Sequence, residues 1–263
     1  MKEIFIEAIG LAAPGLLKWQ TALPILRGET AYVAQPLPTY APTLLPANER
    51  RRATPTVRLA FQAAEDALTS TALSAAKLAT VFTSSDADLN IIHRICSALA
   101  ATPRLVSPTD FHNSVHNAAT GYWSIAVGAR APSTSLSAYD GSFAAGLFEA
   151  YGYVLAEGLD TMLVAFDLPP PEPLYAKRPI AQPVGVALIL TAERTAQSLA
   201  AMRCEQSREL EQALTDAELE ALRLSNPAAR ALPVLKALAQ ARPARIALPL
   251  HENSTLVVAL RTP

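Results

Sequence analysis

The run Thr161 to Asp167, TMLVAFD, constrains the fold more than any other feature of the chain. After Thr161 it is apolar up to its final acid, and it has the length of a strand. It follows a helical pattern over residues 143–157 and a Gly158-Leu159-Asp160 turn, so it reads as a buried strand entered from a helix. The alternation recurs along the chain. Residues 3–9 alternate as a strand, 57–68 form an amphipathic helix, and 79–84 are a short apolar strand ending in small polar residues. Residues 89–99 are helical, and Val184 to Leu190, VGVALIL, is another apolar strand. Strands alternating with helices define the α/β class. Two Pro-rich stretches, 31–56 and LPPPEPLYAKRPIAQP, must be largely irregular or extended.

With 263 residues, 51% of them hydrophobic, the chain can bury a sizeable core. A net charge of −1, with the Lys and Arg scattered apart from Arg50-Arg51-Arg52, gives no footprint for nucleic acid. No apolar run approaches the ~20 residues that span a bilayer. MKEIFIEAIG carries acids within its alternation and reads as a strand, not a signal peptide. Two cysteines build no disulfide framework, which fits a reducing compartment, and the expected location is the cytoplasm. Cys96 shares a helical stripe with Ile92, Ile95 and Leu99 and is expected to be buried; Cys204 lies in the strand-like AAMRCEQS. Neither has a flanking elbow, so neither is expected to be a nucleophile, which needs an electropositive and accessible niche.

Beyond Thr191, SRELEQALTDAELEALRLSNPAARALPVLKALAQ has helical periodicity on both sides of Pro227, with Thr215-Asp216-Ala217-Glu218 as a capping box. The ending, IALPLHENSTLVVAL, carries apolar residues on both sides of His251-Glu252-Asn253-Ser254.

Residues 107–149, SPTDFHNSVHNAATGYWSIAVGARAPSTSLSAYDGSFAAGLFE, carry Asn117 and Gly121, then a Gly-x-x-x-Pro-Ser turn from Gly128 to Ser133, and then Ala138-Tyr139-Asp140-Gly141-Ser142. In this order they resemble the nucleophile-bearing segment of a β-ketoacyl synthase, in which a strand runs into an elbow tipped by the catalytic Cys of a Thr-Ala-Cys-x-Ser pattern. Asp140 stands at that cysteine's place. NERRRATPTVRLAFQAAEDAL resembles the segment before the family's first long helix, and VGVALIL its Gly-Ala-Ala-Ala-Leu-Val-Leu strand. Residues 1–190 thus resemble the N-terminal half of the family. Residues 191–263 resemble a reduced second half that keeps only Asn253-Ser254 of the closing turn and neither of the family's two histidine motifs, His-Gly-Thr and Gly-His. The resemblance implies a thiolase-like, layered α-β-α-β-α fold, truncated in its second half, in one domain over residues 1–263.

A ketosynthase holds its acyl chain as a thioester on a thiolate, which a carboxylate cannot replace. The resemblance therefore implies a subunit without condensing chemistry, with Asp140 serving as a cap for the helix that begins near Gly141. It is similar to the chain length factors of type II polyketide systems and to the ketosynthase-like proteins of aryl polyene clusters. It implies a heterodimer with an active β-ketoacyl synthase across the strand Ser133 to Ala138, contact with an acyl carrier protein through that complex, and no cofactor. Candidate tunnel and interface residues are Phe111, His116, Tyr122, Ser135, Tyr139, Asp140 and Phe143. Two other readings stay open: a decarboxylase or hydrolase of acyl thioesters using Asp140 or Ser142, with His116 as the nearby candidate base, and a purely structural synthase partner. His112 and His116, four apart, with Asp110 have a metal-ligand spacing. They fall on a segment that resembles a non-metal helix, and no metal is expected.

Overall fold

The computed structural model describes residues 3–263. Its strands are β1 (Ile4–Ala13), β2 (Leu16–Leu17), β3 (Ala79–Thr83), β4 (Ser133–Leu136), β5 (Thr161–Asp167), β6 (Val184–Thr191), β7 (Ala200–Ser207), β8 (Ala244–His251) and β9 (Ser254–Arg261). Its α-helices are α1 (Trp19–Arg27), α2 (Ala47–Arg52), α3 (Pro55–Leu68), α4 (Leu89–Ala100), α5 (Pro108–Asn113), α6 (Ala118–Val127), α7 (Ser142–Gly152), α8 (Ala217–Ser225) and α9 (Leu232–Ala239).

The strands form one sheet in the order β4-β3-β5-β6-β1-β7-β9-β8, with β2 paired to β1. The β4-β3-β5 pairings are parallel and the rest antiparallel. β5 and β6 are buried at every residue, as their unbroken apolar runs require of strands covered on both faces.

Two clusters do the covering. On one face α3 packs against β1, β5 and β6, and α6 packs against α3, β3 and β4, with Phe61 and Trp123 edge to face at 5.2 Å. α3 starts where Thr54 accepts from the Val57 amide and Pro55 takes the first turn, which needs no N–H. On the other face lie α7, α8 and α9. α7 touches β3 and β5 on one side and β8 and β9 on the other, so the two ends of the sheet fold toward each other around it. The result is a layering of helix, sheet, helix, sheet. Beyond α7, the strands β7 and β8 carry ion pairs on their outer face, Arg203 with Glu3 and Arg245 with Glu205 and Glu209.

Several local expectations change. β1 runs on to Ala13, and the helical pattern of 143–157 ends as α7 at Gly152 followed by one π turn over Tyr153–Glu157. Residues 208–214 are not helical despite their periodicity: Glu209 pairs with Arg245 and Glu211 with Arg223, which holds the segment extended against β8 and α8. The α8 cap is Asp216, whose carboxylate accepts from Glu218 and Leu219, rather than Thr215. Cys96 is exposed, not buried; of its helix only Ile91 is buried, because the stripe of α4 faces away from the sheet.

Candidate functional site

β4 leads through Ser137 and Ala138 into a tight turn over Tyr139–Gly141 and then into α7. Tyr139 has φ of +52°, a value that side-chain-bearing residues rarely adopt. The turn is braced from below. The Ser142 hydroxyl donates to the Tyr139 carbonyl at 2.7 Å and accepts from the Ala138 amide at 3.0 Å. Gly141 backs onto β8, where a Cβ would meet the Leu250 carbonyl oxygen at 2.2 Å, so no larger residue fits without moving backbone. Gly146, one turn on, lets α7 settle on Thr83 and Leu163.

The tip of this elbow is an ionic cluster. The Asp140 carboxylate accepts from Arg178 Nη1 at 2.6 Å, and Arg178 Nε donates to Asp86 at 2.9 Å. The guanidinium lies 3.8 Å over the Tyr139 ring. The Arg178 side chain is only 12% exposed, whereas Asp140 is 49% exposed. Arg178 is held charged by the two carboxylates against the opposing effect of burial. Asp140 is therefore not the cap of α7; that position is Gly141, with no side-chain oxygen on the first amides, and the carboxylate turns outward to the stronger partner.

Beneath the tip, Asp167 ends β5 and is buried. It accepts from the Ser85 amide at 2.7 Å, the Ser85 hydroxyl at 2.8 Å and the Ser84 hydroxyl at 2.9 Å. Burial pushes its carboxyl up to about 7, the three donors only partly opposing it. A cleft of about 220 Å³ opens beside the tip, lined among others by Tyr139, Asp140, Arg178, Ile180, Asn226 and Arg230.

Of the residues singled out by sequence, the fold brings Tyr139 and Asp140 together and scatters the rest. Phe143 is fully buried in the core beneath the elbow. Ser135, on β4, shares a hydrogen bond with Thr120 at 2.6 Å. Tyr122 is buried on α6 with the His112 ring edge to face at 6.4 Å. Phe111 is exposed on α5, and His116 lines a separate narrow cavity with Asp88 and Asn113 rather than the cleft beside Ser142. Asp110 is bound bidentately by Arg94, which holds its carboxyl below the usual range. Ser142 is 1% exposed and its hydroxyl is committed to the elbow's own backbone. The Cys204 thiol is buried and pushed up to about 12. Asp86, Asp167, Arg178 and Arg230 were not singled out. Asp86 and Asp167 stand near or at the ends of adjacent parallel strands, a pattern that could have flagged them, whereas Arg178 sits in a Pro-rich loop without any periodic signal.

A sheet whose edge strand enters a central helix through a strained elbow, with β8 and β9 packed behind that helix, is the thiolase-like architecture. A family model described as the β-ketoacyl synthase N-terminal domain matches residues 26–248, and the chain belongs to that family. No curated protein matches it. Among solved structures it is similar to a ketosynthase in complex with its chain length factor from Xenorhabdus doucetiae. The two are 24% identical, with a TM-score of 0.72, and the match covers 98% of this chain and 100% of that one. It is also similar to the ishigamide ketosynthase/chain length factor, at 14% identity and a TM-score of 0.74, covering 99% of both chains. A third likeness is to a type II polyketide acyl-carrier protein in complex with its ketosynthase bound to the hexaketide, at 13% identity and a TM-score of 0.71 over 100% of this chain and 99% of that one. At these identities the likenesses establish the fold. No helix among the described residues is long and apolar enough to cross a membrane.

Proposed function

We propose that this chain is a chain-length-factor-like subunit that pairs with an active β-ketoacyl synthase and takes part in chain elongation on an acyl carrier protein without condensing chemistry of its own. The observation that carries the reading is the state of the elbow. Its scaffold is intact, while its tip holds a carboxylate already engaged by Arg178 at 2.6 Å where covalent catalysis needs a free thiolate. Residues 191–263 are read, on the same proposal, as a reduced second half.

The surface supports a partner. β4 is the terminal strand of the sheet and leaves one edge unpaired, the template on which a second sheet continues. α4 and α5, joined by the Arg94–Asp110 pair, present Ile92, Leu99, Phe111 and the nearby Leu105 and Val115 to solvent. Apolar side chains gathered this way mark an interaction site. The competing reading, a hydrolase or decarboxylase working alone, has less support: Ser142 is sealed under the elbow and lacks a base beside it.

Co-expression with an active β-ketoacyl synthase from the same genome, followed by sizing, tests the proposal. The expected result is a stable heterodimer, with the lone chain self-associating. A monodisperse monomer that ignores such a synthase, or turnover of acyl thioesters by the lone chain, would overturn it.

A further inference from the structure

Three segments far apart in sequence meet on one guanidinium. Asp86 follows β3, Tyr139 and Asp140 form the elbow, and Arg178 belongs to the loop over residues 168–183. The far side of that loop is pinned through its backbone: the Ala181 amide donates to the Ser225 carbonyl, and Asn226 Nδ2 donates to the carbonyls of Gln182 at 2.7 Å and Asp167 at 3.0 Å. Its near side is tied to the elbow through the Arg178 side chain.

Tyr139 needs such a tie. A side chain held at positive φ persists only where its surroundings over-determine it. Ser142 fixes the backbone from beneath, and the stacked guanidinium fixes the ring from above. The residue is nevertheless 60% exposed, so the side chain held under Arg178 still presents surface to solvent. A planar fork that meets two carboxylates and an aromatic face at once is specific to arginine; an ammonium satisfies one carboxylate and does not stack.

We propose that Arg178 is the positioning residue of the elbow, a latch that holds the 168–183 loop and the strained Tyr139 in a single pose and so fixes the aromatic surface that the elbow presents to a partner subunit. The latch itself stands on this chain alone; its use by a ketosynthase rests on the function proposed above.

The first arm of the test is hydrogen exchange on the full chain, comparing wild type with Arg178→Met and Arg178→Lys. Local opening should speed exchange about tenfold at residues 138–142 and 174–182 in Arg178→Met, less in Arg178→Lys, with β5 and β6 unchanged. Unchanged exchange at both segments overturns the latch. Should Arg178→Met loosen the whole chain, Arg178→Lys decides alone: selective loosening of the two segments supports the latch, and wild-type exchange there overturns it.

The second arm measures association with the ketosynthase. Arg178→Met and Tyr139→Ala should each weaken it about tenfold, as for an aromatic anchor, while Tyr139→Phe should leave it unchanged. The double variant should be no weaker than Tyr139→Ala alone, because both changes remove one surface. Additive losses would show that Arg178 does not act through Tyr139 and overturn the positioning role. Failure of the wild-type chain to bind any ketosynthase would instead sink the proposed function while leaving the exchange result standing.

Discussion

α7 and α4 are helices of nearly the same length, 11 and 12 residues, and both carry an apolar stripe, yet they end in opposite environments. α7 buries Phe143, Ala144, Gly146, Leu147, Ala150 and Tyr151 between the two ends of the sheet. α4 buries only Ile91 and leaves Leu99 50% exposed. The difference lies in the glycines and in the strands on either side. α7 is entered from a strand through Gly141 and contains Gly146, so it sits directly on β3, β5 and β8. α4 leaves β3 through Asp88, whose carboxylate caps it, and is followed by α5, with which it packs outside the sheet. An apolar stripe says that a helix will be covered. Which molecule does the covering is a separate fact, and for α4 the fold supplies no cover among the described residues.

The comparison breaks or holds first on paired substitutions. Phe143→Ala should cost roughly 3–5 kcal/mol, the transfer of a buried ring plus the cavity it leaves. Leu99→Ser should change the stability of the lone chain by no more than about 0.5 kcal/mol, as for a surface position, while lowering self-association or partner binding. Urea unfolding of both variants, with sizing of the second, checks this. Equal destabilisation by the two would mean that α4 is packed within this chain and that the contrast is false.

Much of this contrast was legible in the sequence, and its failures have physical reasons. Thr161–Asp167 is found to the residue, and the strands at 79–83 and 184–191 and the helix at 89–100 lie within one residue of expectation, because uninterrupted apolar runs and a 3.6-residue period are local signals. The burial of Cys96 was misread since periodicity gives a stripe and not its partner. Residues 208–214 were misread as helix because ion pairs from Glu209 and Glu211 to distant arginines override a local preference. At the site, the elbow was placed through Asn117, Gly128 and Ser133, but the role of Asp140 was not. Its partner is 38 residues away in a loop whose sequence carries no pattern. Capping is a local rule, and it lost to a charge-assisted contact that only the tertiary fold creates.

Asp167 sharpens the buried side of the comparison through pH. Burial pushes its carboxyl in the fold up to about 7, well above the ordinary carboxylate range. The folded state therefore binds this proton more tightly than the unfolded chain does. The contribution of Asp167 to stability is therefore greatest below about pH 4, falls as pH rises through the window from about 4 to 7, and levels off above it. Asp167→Asn keeps an oxygen for the Ser84 and Ser85 donors and removes the charge. It should leave stability little changed at pH 4 and raise it by up to about 4 kcal/mol at pH 8. Denaturation midpoints at the two pH values check it; a variant less stable than wild type at pH 8 would show that the charged form is the one the fold prefers.

Asp140 stands between the two regimes, at the mouth of the buried helix and half exposed, and the effect expected of it on chemistry is the smallest of all. Asp140→Cys restores a thiol at the elbow, beside Arg178, whose guanidinium would favour the thiolate. The variant should therefore alkylate with iodoacetamide, and faster than Cys96 on the open face of α4. It should still form no condensed product in the lone chain. Condensation also needs groups that decarboxylate the extender and stabilise the developing oxyanion, and groups that act as a unit fail together when any is missing. The residues near the tip are Asp86, Arg178 and Arg230, with His116 lining a different cavity, so no imidazole pair faces the thiol. Incubating Asp140→Cys with malonyl- and acyl-loaded carrier protein, and weighing the products, gives the answer. Labelling without condensation is the expected outcome. A condensed product would mean that the elbow lost only its nucleophile and that residues 191–263 hold the missing catalytic groups, which would move this chain from partner to enzyme.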